Sequence, residues 1–216
     1  MIDEVYNANV VAECSRSIFE GRKWLTASHT PGAVVPPTDP TAIHTVHFDV
    51  THPQTWGHPT GYAEDHAMRP TGLYLAPGEI ASVEVPAEMV GSGFKVLVGA
   101  QNVDNGGLYL ITGSRAGNRK STVERMDRVS AYFDIENTTT LVANPLGGGI
   151  YLMVPYLGHP DGWAGDNGVA TASISGGVVL APLFQKTSIK QTTDEEWQTL
   201  KTTPAPWADF ETDKFM

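Results

Sequence analysis

The chain has 216 residues, 41% hydrophobic and 18% charged, enough for one large all-β domain or two small ones with a real core. A net charge of -10 argues against binding a phosphate backbone. The densest basic group (Arg115, Arg119, Lys120, Arg125, Arg128) is broken by Gly117 and Asp127 and reads as a solvated loop. No apolar run is long enough for a membrane span, and the single cysteine, Cys14, allows no internal disulfide.

Met1-Ile2-Asp3-Glu4 is acidic and lacks the basic n-region of a signal peptide. Residues 3 to 20 carry helical spacing through Val5, Ala8, Ala12 and Phe19, and Gly21 is a plausible stop. Cys14 falls in this helix, where an inert, partly buried thiol is expected. Ser28 to Pro40, rich in Pro, Gly and Thr, predicts an extended linker over the surface.

From Ile43 the pattern changes to short apolar runs between turn residues. Strands are predicted at 43–50, 72–75, 80–85, 94–100, 108–112, 129–135, 139–143, 150–154, 169–175 and 178–183. Between them stand turn signals such as Pro77-Gly78, Gly91-Ser92-Gly93 and Gly176-Gly177. This spacing points to an all-β fold, a β-sandwich or jelly roll, rather than alternating βαβ units. The expected organisation is a helix and linker over 1–42, a sandwich over 43–192 and a capped helix with the start of a further link over 193–216.

Several residues invite a functional reading. His44, His47, His52, His58 and His66 are close in sequence, but His44 and His47 on one strand point to opposite faces. Ordinary surface and loop histidines are expected rather than a metal site. The loop Gly158 to Gly168 holds Asp161, Trp163, Asp166 and Asn167, an aromatic beside hydroxyl-binding groups such as a sugar-contacting loop uses. Its alternatives are a hairpin loop with Trp163 packed down, or a calcium loop whose spacing does not match an EF-hand. Asn144-Pro145-Leu146-Gly147-Gly148-Gly149 reads as a tight structural turn, because a strand rather than a helix N-terminus follows it. Thr193-Asp194-Glu195-Glu196 is a capping box opening a short helix to about Lys201, which Pro204 and Pro206 stop. Trp197 and Trp207 around it suit core or interdomain packing. No Ser-His-Asp or Cys-His arrangement can be placed.

Several segments in linear order resemble one family. Thr71 to Glu79 with Val83-Glu84-Val85-Pro86, then Phe94 to Ala100, resemble the opening of the enhancin family, mucin-targeting zinc metallopeptidases also called peptidase M-sixty. Thr138 to Pro155 (TTTLVANPLGGGIYLMVP) is the most specific segment. Ile174-Ser175-Gly176, Ala181-Pro182, Thr193 to Trp197 and Pro204 to Ala208 complete the series, so the resemblance covers roughly residues 70 to 216.

The resemblance implies a β-sandwich-like part preceding a helical catalytic part, in which HExxH and a downstream Glu hold zinc and activate water. None of the seven histidines here stands in such a motif. The resemblance places that segment beyond Trp207, and the apolar Phe215-Met216 terminus reads as a strand cut short. Relatives tend to show a His-Thr-Asp run where this chain has Gln101 to Asn105, so no role for that His carries over.

The expected function is therefore that of a non-catalytic N-terminal β-sandwich of a secreted or cell-surface enhancin-like metallopeptidase acting on glycoproteins. Its partners would be the parent's catalytic domain and a glycoprotein or glycan, with no nucleic acid and no membrane span. No cofactor is expected in this chain; zinc belongs to the catalytic part. The alternatives are an independent lectin-like module and a structural β-domain. Trp207, Phe210 and Phe215 are expected to pack on another part of the protein, and so to leave an apolar patch on this chain alone.

Overall fold

The computed structural model describes residues 22–50, 66–100, 130–155 and 168–213. The predicted helix over 3–20, the strand over 108–112, the Arg115–Arg128 group and the 158–167 part of the Trp163 loop lie outside the described residues.

The fold is all-β. One sheet has four antiparallel strands in the order β1 (His44–Asp49), β8 (Val169–Gly176), β3 (Ile80–Glu84), β6 (Thr139–Ala143). The other has five, in the order β5 (Ala131–Asp134), β4 (Lys95–Val98), β7 (Gly148–Pro155), β2 (His66–Leu75), β9 (Val178–Leu180). Their facing sides form one apolar core. Alternate residues supply it: Val46 and Phe48 from β1, Ala172 and Ile174 from β8, Val96 and Val98 from β4, Ile150, Leu152 and Val154 from β7. A third, two-stranded parallel sheet joins β10 (Leu183–Lys186) to β11 (Asp209–Thr212).

Two strands differ from their predicted form for local reasons. The strand predicted at Gly72 already starts at His66, hidden in the sequence by Pro70 and by a weak alternation. The register shifts between Pro70 and Tyr74, a bulge that restores the ladder after the proline. There Gly72 takes φ +70, while the Thr71 hydroxyl donates to the Ile150 carbonyl at 2.7 Å and accepts from the Leu73 N–H at 3.2 Å. The single strand predicted over 178–183 is two, because Pro182 has no N–H for a ladder; its carbonyl instead accepts from the Asp209 N–H at 3.0 Å.

β7 is buried at all eight positions. Its core-facing residues alternate with Tyr151 and Met153, which pack on the outer face with Leu97. The five-stranded sheet therefore needs cover on both sides. Part of it comes from the segment after a 3-10 turn at Leu25–Ser28: Val34 packs with Tyr74, Ala181 and Ala205. That segment runs extended as predicted and is tied down at intervals. Just before the turn the Trp24 N–H donates to the Pro145 carbonyl at 3.1 Å, and at the far end of the segment the Pro40 carbonyl accepts from the Gly176 N–H at 2.9 Å.

The β6–β7 connection is built from the Asn144–Gly149 segment. Asn144 Oδ1 accepts from the Leu146 N–H at 2.9 Å, while its Nδ2 donates to the Val98 carbonyl at 3.0 Å, locking the turn to β4. Gly147 (φ +68) and Gly148 (φ +140) occupy backbone angles that favour glycine; Gly149 does not. A Cβ on Gly148 would lie 2.7 Å from the Gly99 Cα, whereas one on Gly91 (φ +66) would meet nothing within 4 Å. Gly148→Ala should thus cost on the order of 2–3 kcal/mol and Gly91→Ala about 1 kcal/mol. Urea unfolding of the two variants checks this; equal midpoints would contradict the packing argument.

Candidate functional site

Polar and aromatic side chains gather where the β10–β11 sheet meets the sandwich. On β11 the alternation turns Asp209 and Glu211 toward the sandwich and leaves Phe210 outward, 52% exposed. Arg69 of β2 holds the inward side. Its Nε donates to the Asp49 carbonyl at 3.0 Å, and its guanidinium lies 3.6 Å from the Asp49 carboxylate and 3.7 Å from that of Glu211. Gln185 of β10 donates to the other Glu211 oxygen at 2.8 Å. Four strands are thus tied through Arg69 and Glu211. Burial nevertheless raises the Glu211 pKa above its ordinary value, with Gln185 and Arg69 opposing the shift.

A second tether lies two residues earlier. The Tyr151 hydroxyl donates to Asp209 Oδ1 at 3.1 Å. Burial raises the Asp209 pKa, the Tyr151 bond opposing, and burial raises the tyrosine's own pKa as well. Tyr74, also raised by burial, donates to the Gly32 carbonyl at 2.7 Å.

On the outward side three rings form a cluster. Phe184 and Trp197 meet edge to face at 5.5 Å and 86°, and Phe210 lies 5.5 Å from Trp197 and 5.9 Å from Phe184. Trp197 is carried by α1 (Asp194–Leu200), whose capping box forms as predicted. Glu196 N–H donates to Thr193 Oγ1 at 3.2 Å, and Thr193 N–H donates to Glu196 Oε2 at 2.8 Å. Lys190, 2.6 Å from Glu196, is the main reason that carboxylate sits at a pKa of about 2. Between α1 and the strands runs an open groove of about 590 Å³ over Leu180, Leu183 and Leu200. Leu180, on the wall of this groove, is 47% exposed.

The site residues expected from the sequence are spread out. Asn144, Gly147, Gly148 and Gly149 shape the β6–β7 turn, while Asp161, Trp163, Asp166 and Asn167 fall outside the described residues. Val46 and Phe48 face the core from β1, so His44 and His47 lie on opposite faces as expected, and His47 Nδ1 is 3.0 Å from the Thr171 hydroxyl. His66 departs from the loop reading: it opens β2, with Nε2 2.8 Å from the Gly93 carbonyl oxygen. His52 and His58 lie outside the described residues. Among the described residues no three His, Cys, Asp or Glu side chains converge on a point that would hold a metal. Sequence reasoning missed the Arg69–Glu211 and Tyr151–Asp209 tethers. The one available signal was the alternation of Asp209 and Glu211 with Phe210 in a short strand.

Because folding raises Asp209 above its ordinary 3.8, the folded chain holds that proton more tightly than the unfolded one. Its contribution to stability is fully present below that value and is lost as pH rises through the raised pKa. In Asp209→Asn the decline in urea midpoint from pH 4 upward should become shallower; an unchanged slope would contradict the assignment.

Residues 44–162, more than half of the chain, match the family model for the N-terminal domain of M60-like peptidases. The match starts at β1, earlier than the motif series around residue 70. TRPM8 channel-associated factor 3 of Rattus norvegicus is 31% identical over 153 residues, covering 70% of this chain and 14% of that protein. The TRPM8 channel-associated factor homolog of Danio rerio is 31% identical over 142 residues, covering 65% and 13%. The chain thus spans roughly a seventh of the curated relatives it matches. Among solved structures, an IMPa metallopeptidase in complex with T-antigen aligns at TM-score 0.50 and 14% identity, over 82% of this chain and 17% of that one. IMPa from Pseudomonas aeruginosa with an O-glycopeptide aligns at TM-score 0.50 and 13% identity, with the same coverage. At such identities these two speak to the fold alone. The chain belongs to the family of N-terminal domains of M60-like peptidases, the enhancin-type group.

Proposed function

We propose that this chain is the non-catalytic N-terminal β-sandwich of a larger, secreted or cell-surface M60-like zinc metallopeptidase acting on glycoproteins, and that it braces the catalytic part. The observation that carries this reading is the outward side of the β10–β11 unit. Phe210 is 52% exposed, beside Trp197 and Phe184, on a two-stranded sheet too small to be an independent layer. Clustered aromatics on a pinned support suit a contact with another folded part of the same protein, because rigid rings lose little entropy when covered. The 216 residues contain no HExxH, which is consistent with zinc and the water-activating Glu being supplied from elsewhere in the parent.

The glycoprotein substrate is supported by the neighbours' descriptions, T-antigen and an O-glycopeptide in the IMPa complexes. The curated relatives are named for association with the TRPM8 channel, so their own partner differs.

The test uses the full-length parent protein. Replacing both Trp197 and Phe210 by serine should lower the melting temperature of its peptidase part by several degrees, as about 1–2 kcal/mol of lost contact would. It should also increase protease cleavage between the two parts. A peptidase part that melts and resists proteolysis as in the wild type would contradict the bracing role.

A further inference from the structure

A second cavity, of about 210 Å³, lies apart from the aromatic trio, on the outer side of the five-stranded sheet. Its described walls include Thr30, Pro31, Tyr74, Gly149, Tyr151 and Trp207. All three aromatic side chains are held by their own polar atoms. Tyr74 donates to the Gly32 carbonyl at 2.7 Å, Tyr151 to Asp209 at 3.1 Å, and the Trp207 indole N–H to the Pro31 carbonyl. Trp207 stays 59% exposed, as an outer lip would be.

The charge balance behind these walls is one-sided. The Asp209 carboxylate is partly buried and accepts one side-chain hydrogen bond, from Tyr151; the ion pairs of the described residues leave it without a cation. A carboxylate shielded from water and short of a positive partner favours a cation nearby. Aromatic faces act in the same direction, since the negative side of the ring quadrupole attracts positive charge. A primary ammonium or guanidinium would bring three to five N–H donors, yet the described walls offer few acceptors: the Thr30 hydroxyl, the two phenol oxygens and backbone. A fully methylated ammonium carries the charge and asks for no acceptor. We propose that this cavity binds a quaternary trimethylammonium group, free or borne on a phosphocholine headgroup.

This inference does not depend on the bracing role, and the purified 216-residue chain suffices to test it. Choline and its neutral carbon isostere, with carbon in place of nitrogen, are titrated in parallel by calorimetry and by saturation-transfer NMR on the methyl protons. Choline should bind about tenfold more tightly than the isostere. Trp207→Leu should weaken choline by about tenfold and Asp209→Asn by several-fold, with circular dichroism unchanged. Co-sedimentation with phosphatidylcholine vesicles separates the sources: sedimentation that free choline competes away assigns the headgroup, and choline binding without sedimentation assigns the free cation. No binding of choline, or equal binding of the isostere, would overturn the proposal, the second outcome marking the cavity as a plain apolar slot.

Discussion

The structure depends on one strand that is buried on both sides. β7 places Ile150, Leu152 and Val154 in the core between the sheets and Tyr151 and Met153 on the opposite face. A sheet with such a centre cannot leave either face to water at a tolerable cost, since each large side chain exposed would forfeit roughly 1.5–3 kcal/mol. The four-stranded sheet covers one face. The other draws in segments distant in sequence: Val34 from the N-terminal side and Ala205 from the C-terminal side meet over Tyr74. Segments some 170 residues apart in sequence thereby share one surface.

Hydrophobic cover alone would not fix where the C-terminal segment lands. Polar tethers do that. Arg69 joins Asp49 to Glu211, and Tyr151 reaches Asp209, so both inward residues of β11 have directional partners. Each tether carries a desolvation cost, visible in the raised pKa values of Asp209 and Glu211. What they provide is registry: they orient β11 so that Phe210 points outward against Trp197 and Phe184. The proposed bracing role draws on this orientation of the aromatic face more than on added stability. The capped helix serves the same end, holding Trp197 on a seven-residue element that buries no side chain completely.

The legible part of this fold was the part written locally. Alternation in Ala81 to Val85 and Val169 to Ile174 located β3 and β8, and the Thr193–Glu196 box located α1. The Asn144–Gly149 segment announced a tight connection through its glycines, and the ordered motifs from Thr71 to Trp207 pointed to the enhancin family before any geometry was known. What escaped was non-local. Pro70 masked the first half of β2, whose continuity through a bulge after the proline only the pairing with β7 reveals. Pro182 split one apolar run into two strands of different sheets. Arg69 and Glu211 are 142 positions apart, and no spacing rule connects them; only the fold-back of the C-terminal segment does.

The assignment to the N-terminal domain of M60-like peptidases and the proposed division of labour, bracing here and chemistry elsewhere, meet in one experiment. The purified 216-residue chain, loaded with equimolar zinc, is incubated with an O-glycosylated mucin-type glycoprotein while metal content and peptide products are followed by mass spectrometry. The account predicts that zinc dialyses away and the glycoprotein remains intact. One tightly retained zinc per chain together with new peptide termini would contradict it.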